Sequence, residues 1–379
     1  MTIHTNASAA QPASLALASF GPDAAIRCER AAAELRFGRP VRIVGTRGEA
    51  LIALALDTAT PATFQELAGT LGDRLHLYLT PQRARVLSID APGGAMVPLA
   101  GLDLDAACHL GYLRGALPPQ GWRPANPLAA EAVGVARLAL LLPALVCATV
   151  AADEPVFADC ATIGVGDIDV ALAATARRFQ VVAETAVPLK GIDEARFVVF
   201  RGGFAQRDQI AIVVGQPDRS FPVPVRVHSS CITGDLFGSL KCDCGDQLRN
   251  GLKTLEARGG GVLLYLDQEG RGTGIAAKMR AYGLQAEGLD TIDADAELGF
   301  GADERRYETA AAMLDGLNIK RIDLLTNNPL KVAYLKACGI DVVDRTPVTG
   351  TVTAENRGYL RTKAERGGHM LAVDRLYGG

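Results

Sequence analysis

The sequence predicts an α/β protein with mixed sheets, divided into two domains. With 379 residues the chain exceeds the usual size of one domain. Its first half alternates helix-like and strand-like patterns, which is typical of α/β folds. From about residue 184 the pattern changes to β-forming segments, Gly-rich turns and clustered cysteines. We therefore expect a flexible tail over 1–27, a first domain over 28–183 and a second domain over 184–379.

Start signals and apolar patterns predict the elements of the first domain. Thr60-Pro61 and Thr80-Pro81 are typical of helix starts, because proline suits the first helical turn. The helical patterns begin near Ala25, at Pro61 and at Pro81, and cover 129–142 and 167–179. The strand patterns cover 41–44, 51–56, 75–79, 146–150 and 181–183.

The second domain is predicted in the same way. Pro222 and Pro224 indicate that the segment following them enters as an extended or edge strand, because proline cannot donate to a ladder. The strand patterns cover 197–200, 209–214, 262–266 and 322–325. The helical patterns cover 247–255, 275–287, 304–317 and 330–338.

Composition excludes several classes of protein. An apolar fraction of 49% with 21% charged residues is that of an ordinary globular protein. A net charge of −3 argues against a general nucleic-acid binder. The longest apolar run, 138–152, is too short to span a membrane, and no signal peptide is recognisable. Eight cysteines are too few for a disulfide scaffold, so we expect a cytoplasmic protein whose clustered thiols bind metal.

The cysteines cluster at Cys231, Cys242 and Cys244. Three thiolates are the protein ligands of a catalytic zinc site, which leaves its fourth position to water or substrate. The alternative is three small buried hydrophobes, since free cysteine is often buried. Polar neighbours such as Lys241 and Asp243 are untypical of a buried apolar strand, so the zinc interpretation is favoured.

From about Ala183 to Leu371 the chain resembles the GTP cyclohydrolase II family of riboflavin biosynthesis. The resemblance rests on ordered motifs: RVHSSCITGD, SLKCDCG, QEGRG, KMRAY, GFGADER, LLTNNPLK and YLRTKAE. It implies that the three cysteines bind one Zn²⁺, which activates water for hydrolysis of the imidazole ring of GTP and release of formate. It also implies Mg²⁺ on the substrate phosphates, a zinc-bearing cleft and a homodimer.

The resemblance assigns three catalytic residues. Tyr282 would orient the reacting ring atoms, Asp303 would accept a proton, and Arg305 would attack the α-phosphorus so that pyrophosphate leaves. A carboxylate partner is needed, because guanidinium is protonated at ordinary pH. Spacing alone leaves other roles open: Tyr282 as a packed aromatic, Asp303 as a helix N-cap and Arg305 as a solvated first-turn residue.

The resemblance also implies a set of nucleotide-binding positions. Arginine and lysine suit phosphate oxygens, and the Glu269 carboxylate suits the N–H edge of guanine. Taken singly, Arg271 or Lys331 could equally be an ordinary surface charge. The positions are Arg226, Val227, His228, Ser229, Ser230, Gln247, Glu269, Gly270, Arg271, Thr291, Thr326 and Lys331.

Residues 28–183 resemble a dihydroxybutanone-phosphate synthase domain. The matching stretches are AAAELRFGRPVRIV, TPATFQELA, LHLYLTPQRARVL and AVGVARLALLLPALVCATV. Where that family has a dense acidic loop, 45–50 holds one carboxylate, Glu49, and 126–129 lacks the catalytic histidine. One carboxylate cannot hold a divalent cation, which needs several oxygen ligands. We expect a degenerate, non-catalytic domain in which His76 and His109 are packed core residues.

Three positions depart from the cyclohydrolase pattern: Ser230, Thr273 and Ala277, all expected to border the nucleotide pocket. They leave two alternatives open. One is a ring-opening hydrolase acting on a uracil nucleotide in pyrimidine catabolism. The other is a non-catalytic nucleotide-binding protein, against which the retained cysteines and Asp303/Arg305 pair argue.

Overall fold

Two seven-stranded sheets, each flanked by helices, make up the computed structural model, which describes residues 23–175, 179–203, 207–301 and 303–371. The predicted mixed α/β class and two-domain arrangement are confirmed. Most of the predicted tail lies outside the described residues, and Ala24 to Arg27 already belong to the first helix. No described helix has the length and apolar character needed to cross a membrane.

Among its described residues, the first unit contains six α-helices and the first sheet. The helices are α1 (Ala24–Arg36), α2 (Pro61–Leu71), α3 (Pro81–Val86), α4 (Leu104–Tyr112), α5 (Pro127–Leu138) and α6 (Asp167–Thr175). The strands are β1 (Val41–Val44), β2 (Glu49–Ala55), β3 (His76–Leu79), β4 (Ala95–Pro98), β5 (Arg123–Pro124), β6 (Leu145–Ala151) and β7 (Thr162–Gly164). The strand order is β5-β4-β3-β6-β2-β1-β7, antiparallel throughout except for the parallel pair β1–β7.

Both faces of this sheet are buried, which explains the unbroken apolar run of β2. Leu51 and Ala53 pack into one cluster with α1 and α5, whereas Ile52 and Leu54 pack into a second cluster with α2 and α3. Successive strand residues point to opposite faces, so a strand covered on both sides is apolar at every position.

The two histidines of the first unit differ. His76 is buried, and its Nδ1 lies 2.7 Å from the Arg74 carbonyl oxygen. His109 is exposed, so its predicted place in the core is wrong. The buried residues of α4, Ala107 and Gly111, each lie two positions from His109, which therefore falls on the opposite face of the helix.

The described part of the second unit contains seven α-helices and the second sheet. The helices are α7 (Ile232–Asp235), α8 (Cys244–Ala257), α9 (Ile275–Ala286), α10 (Thr291–Glu297), α11 (Glu308–Gly316), α12 (Pro329–Ala337) and α13 (Arg357–Glu365). The strands are β8 (Gln180–Ala186), β9 (Ala195–Arg201), β10 (Asp208–Gly215), β11 (Val223–Ser229), β12 (Gly260–Leu266), β13 (Arg321–Leu325) and β14 (Asp341–Thr346).

This sheet is half antiparallel and half parallel. Its order is β14-β13-β11-β12-β10-β9-β8. The pairs β14–β13, β13–β11 and β11–β12 are parallel, and the pairs β12–β10, β10–β9 and β9–β8 are antiparallel. Because β8 pairs with β9, the second sheet begins at Gln180, ahead of the predicted boundary at 184.

The segment after Pro222 forms the extended strand β11, one of its two predicted forms, and lies in the middle of the sheet, not at its edge. Its prolines are tolerated because Pro222 precedes the strand and Pro224 precedes the ladder to β12, which begins at Val225. The helix predicted over 304–317 begins only at Glu308, which leaves the preceding residues in an irregular loop.

The two units pack against each other through α9, α10 and the loop after α10. Leu142 of the first unit lies in a buried cluster with Ala277, Ala281, Leu298 and Phe300. Polar contacts surround this cluster, including an ion pair of 2.6 Å between Asp57 and Arg280.

Candidate active site

A cleft opens at the carboxyl ends of the parallel strands of the second unit. Ser230 and Cys231 follow β11, Glu269 and Arg271 follow β12, and Thr326 follows β13. The carboxyl ends of parallel strands share one edge of a sheet, where α/β proteins commonly bind ligands. The cavity has a volume of about 260 Å³. All predicted catalytic, substrate-binding and metal-binding residues line it.

Three thiols meet at one end of this cleft. The sulfur atoms of Cys231, Cys242 and Cys244 all lie within 4.8 Å of one another, and the Cys231 and Cys242 Sγ atoms are 3.6 Å apart. Cys231 directly precedes α7 and Cys244 is the first residue of α8, so the packing of these two helices brings the thiols together. All eight cysteines are free thiols.

Two glycines allow this close approach. A Cβ atom at Gly234 would lie 2.8 Å from Cys242 Sγ and 3.2 Å from Cys231 Sγ. A Cβ atom at Gly245 would lie 2.2 Å from the Gly234 carbonyl oxygen. Any side chain at either position would push the two helix starts apart, so the glycines of the TGD and KCDCG motifs are required by the geometry of the thiols.

The surroundings of the thiols favour an ionised sulfur. Hydrogen bonds with Cys242 and Cys244 lower the pKa of Cys231 and raise the pKa values of these two partners. The Lys278 ammonium, with Nζ 3.1 Å from Cys231 Sγ, lowers the pKa of Cys231 further. Three cysteine sulfur atoms in so tight a group fit Zn²⁺, which is bound preferentially by sulfur and nitrogen and would hold all three as thiolates.

A buried polar network holds the strand that leads into the cluster. The Asp235 carboxylate lies 3.1 Å from His228 Nε2 and accepts hydrogen bonds from the Tyr265 hydroxyl (2.9 Å) and the Cys231 amide (3.0 Å). The His228 ring stacks on Tyr265 at 5.6 Å. Burial lowers the pKa of His228, so the ring is neutral near pH 7. His228 thus supports the wall of the cleft through Asp235.

Positive charge collects at the other end of the cleft. Lys331 is buried, and its Nζ donates to the Val227 carbonyl oxygen at 2.9 Å. Burial lowers the pKa of Lys331 well below its usual range, and the nearby cations Arg305 and Arg226 lower it further. Burial also lowers the pKa of Arg226 to about 10. An anion bound here would relieve this repulsion, as a phosphate group does.

Asp303 and Arg305 form a bidentate ion pair in the irregular loop before α11. Arg305 Nε and Nη2 donate to the two carboxylate oxygens of Asp303 at 2.8 and 2.5 Å. Burial lowers the pKa of Arg305, but Tyr307 and the Asp303 carboxylate raise it by more, so the pKa lies above its usual range. Asp303 does not cap the helix, because the N-cap residue of α11 is Tyr307. The Arg305 side chain is only 14% exposed, so it is not a solvated surface group.

Glu269 and Arg271 follow β12 in a tight turn. The Glu269 carboxylate accepts hydrogen bonds from Lys278 Nζ (2.7 Å) and the Ile232 amide (2.6 Å). Arg271 adopts a positive φ of 60° and donates to the Asp295 carboxylate at 2.6 Å. Both side chains line the cleft while bound to protein partners.

Tyr282 lies between two ammonium groups, with Lys241 Nζ 4.8 Å and Lys278 Nζ 5.7 Å from its ring centroid. Burial raises the pKa of the Tyr282 hydroxyl, so it stays protonated and can donate a hydrogen bond. Its position at the cleft argues against a purely packed aromatic.

Of the three departures from the family pattern, two border the cleft and one does not. Ser230 and Thr273 line it, and Ser230 Oγ is buried with no hydrogen-bond partner among the described residues. Ala277 is buried in the cluster between the two units, so its predicted place at the pocket is wrong. On α9 it lies on the face that packs against the first unit.

Sequence reasoning missed several residues of the cleft. Lys278 contacts the thiol cluster, although only Tyr282 of its KMRAY motif is assigned from the sequence. Lys363, in the YLRTKAE motif, lies 3.4 Å from the Asp243 carboxylate, and His369 follows it along the cleft wall. The sequence motifs indicate that these segments belong to the site. Only the fold shows which side chains of each motif line the cleft.

The chain is similar in sequence to known proteins of one enzyme family. The model of the family described as GTP cyclohydrolase II matches residues 180–347. The chain is 56% identical over 359 residues to a GTP cyclohydrolase-2 of Xylella fastidiosa (strain 9a5c), covering 94% of this chain and 90% of that relative. It is 40% identical over 367 residues to the GTP cyclohydrolase-2 of Azospirillum brasilense, covering 92% and 95% respectively.

One solved structure is also similar. It is described as RibBX, a two-domain 3,4-dihydroxy-2-butanone 4-phosphate synthase from A. baumannii, and is 16% identical. The match covers 86% of this chain and 100% of that chain with a TM-score of 0.30, a likeness too distant to carry an argument. The two curated relatives, by contrast, match the chain across both units at high identity. The chain therefore belongs to the GTP cyclohydrolase II family.

Proposed function

We propose that this chain converts GTP to a diaminopyrimidinone ribosyl phosphate, with release of formate and pyrophosphate, as the first step of riboflavin biosynthesis. The observation that carries the proposal is one cleft that joins a three-thiol cluster to a buried cationic pocket containing the Asp303–Arg305 pair. Members of this family are metal-dependent hydrolases that act on a nucleotide. The cleft offers separate places for the ring and for the phosphates of such a substrate.

Cys231, Cys242 and Cys244 would hold Zn²⁺ as thiolates. Bound there, Zn²⁺ would supply a water of lowered pKa for hydrolysis of the imidazole ring at C8. Lys278 balances the negative charge of the thiolates and is itself held by the Glu269 carboxylate. The Tyr282 hydroxyl would donate a hydrogen bond to the reacting ring.

Arg226, Arg305 and Lys331 would bind the triphosphate, together with Mg²⁺ carried by the substrate. Arg305 would attack the α-phosphorus with a guanidine nitrogen, its proton would pass to Asp303, and the bond to pyrophosphate would break. Water would then hydrolyse the phosphorus–nitrogen bond, which releases the ribosyl phosphate and restores Arg305. The bidentate geometry supports this role, because the proton acceptor already contacts the nucleophile. Such a step requires a triphosphate, which favours GTP over a nucleoside monophosphate.

A turnover assay with GTP and UMP tests the substrate. We expect formate and pyrophosphate from GTP and no change in UMP. Ring opening of UMP with GTP inert would overturn the proposal in favour of a pyrimidine hydrolase, and Ser230 and Thr273 would be the first residues to examine. Binding of GTP without turnover of either nucleotide would indicate a non-catalytic nucleotide-binding protein.

A further inference from the structure

The loop that carries Asp303 and Arg305 is held from outside its own unit. Glu304 lies between Asp303 and Arg305 in the sequence. Its Oε1 lies 3.1 Å from Nη2 of Arg137, a residue of α5 in the first unit. The same Glu304 oxygen accepts a hydrogen bond from the Gly301 amide at 2.9 Å. Glu304 therefore closes the turn of the loop on one side and binds the first unit on the other.

Two further contacts fix the start of this loop. Thr80 Oγ1 donates to the Gly299 carbonyl oxygen at 2.8 Å, and Arg83 Nη1 donates to the Glu297 carbonyl oxygen at 3.0 Å. Arg83 is 1% exposed and also donates to three carbonyl oxygens of α4 and the residue after it. This guanidinium joins α4 to the end of α10 and cannot move independently of the first unit.

The charges at the loop show what Arg137 does. Three carboxylates approach one another, and each has an arginine partner: Asp295 has Arg271, Asp303 has Arg305 and Glu304 has Arg137. Burial raises the pKa of Asp295, and the charges of Glu304 and Asp303 raise it further. Without Arg137, the Glu304 carboxylate would repel its neighbours with no compensating charge.

We propose that the first unit is a positioning element of the cyclohydrolase, in which Arg137, with Thr80 and Arg83, holds the described loop residues 297–301 and 303–305 so that Asp303 and Arg305 face the substrate. The inference rests on the proposed roles of Asp303 and Arg305. Arg137 does not line the cleft, so it is a positioning residue and not a catalytic one. This role gives the first unit a function that needs none of the chemistry of a sugar-phosphate synthase.

The test compares Arg137→Met with a matched control in the full-length chain. Arg27 is 37% exposed and Arg137 is 38% exposed. Because Arg27 pairs with Asp167 inside the first unit, Arg27→Met removes a similarly exposed ion pair that does not join the two units. We expect Arg137→Met to lower kcat for pyrophosphate release about tenfold, with zinc content and KM unchanged. Arg137→Lys should restore much of the rate, and Arg27→Met should match the wild type.

Two further measurements identify the cause. Amide hydrogen exchange of the segment 299–306 should be faster in Arg137→Met than in Arg27→Met. The effect of Arg137→Met should shrink in a Glu304→Gln background, because the charge that needs compensation is then absent. The inference is wrong if Arg137→Met shows the wild-type rate of amide hydrogen exchange and a kcat within about twofold of the wild-type value. It is also wrong if Arg27→Met loses as much kcat as Arg137→Met.

A parallel Arg305→Ala variant, which removes the nucleophilic nitrogen, separates this inference from the proposed function. If it still releases pyrophosphate at the wild-type rate, the proposed chemistry of Arg305 is wrong, whatever Arg137 does, and the inferred positioning role of Arg137 is wrong with it. If Arg305→Ala is inactive while Arg137→Met has the wild-type rate and the wild-type hydrogen exchange, the chemistry stands and the positioning role alone is wrong.

Discussion

Each unit consists of a seven-stranded sheet with helices on both sides, and the two sheets differ in the relative direction of neighbouring strands. In the first sheet nearly all neighbours are antiparallel, so successive loops leave from opposite edges. In the second sheet β12, β11, β13 and β14 are parallel, so the loops that follow them meet at one edge. Strand direction thus decides which unit can gather distant polar side chains into one cleft.

The polar residues of the two units differ accordingly. In the first unit, the loop at 45–50 has a single carboxylate, Glu49, which accepts a hydrogen bond from the Arg47 amide and stays local. The buried Arg83 of the same unit is directed across to Glu297 of the second. The comparison teaches that a domain without a recognisable active site can still contribute through its contacts.

The largest difference between the units should be in metal binding. We expect Cys242→Ser to lose zinc and to lower GTP turnover by more than about a hundredfold, because one of the three thiolate ligands of the catalytic metal is removed. Elemental analysis and a formate assay measure both effects. Cys338→Ser, which changes a free cysteine outside the cleft, is the control. Full activity in zinc-free protein would contradict the zinc interpretation.

A smaller effect is expected where a glycine permits the thiols to meet. Gly234→Ala would place a Cβ atom 2.8 Å from Cys242 Sγ, so we expect zinc content to fall and activity to drop about tenfold. Gly283→Ala, on α9 with no heavy atom within 4 Å of the new Cβ, should instead stabilise the protein by up to about 1 kcal/mol. Equal zinc content in the two variants would contradict the packing argument.

The smallest effect concerns stability against pH. Burial raises the pKa of Asp295 to about 6 despite its pairing with Arg271. An acid whose pKa is higher in the folded state loses its stabilising contribution as pH rises through that pKa. Between about pH 5 and pH 7 the wild type should therefore lose about 1 kcal/mol of unfolding free energy relative to Asp295→Asn.

Urea unfolding at the two pH values measures this change. Asp293→Asn, more exposed on the same helix, is the control and should keep the wild-type dependence. The same pH dependence in Asp295→Asn and the wild type would show that Asp295 does not titrate in this range.

The sequence predicted most of the elements, and its failures have physical causes. Helix starts such as Thr60-Pro61 and apolar runs such as β12 are local signals, and the structure has both elements where they were predicted. Strands as short as β5 and β7 carry too few residues for an alternation pattern. The irregular loop before α11 was predicted as helix, because its charged residues are good helix formers and only the surrounding contacts hold them in another conformation.

Some contacts of the candidate site were predictable from the sequence and others were not. Cys231, Cys242 and Cys244 are close in sequence, so their meeting was predictable. The contact between Lys278 and Cys231 joins residues 47 positions apart, and that between Arg137 and Glu304 joins the two units. No spacing rule reaches such distances, because they depend on how the sheets and helices pack.

One measurement tests most directly whether all the chemistry lies in the second unit. A single preparation of the full-length chain is assayed in parallel with GTP and with ribulose 5-phosphate, both in the presence of Mg²⁺. We predict formate and pyrophosphate from GTP, and no product from ribulose 5-phosphate above a protein-free control. Product formed from ribulose 5-phosphate at a rate that depends on protein concentration would contradict the account and make the first unit a second enzyme.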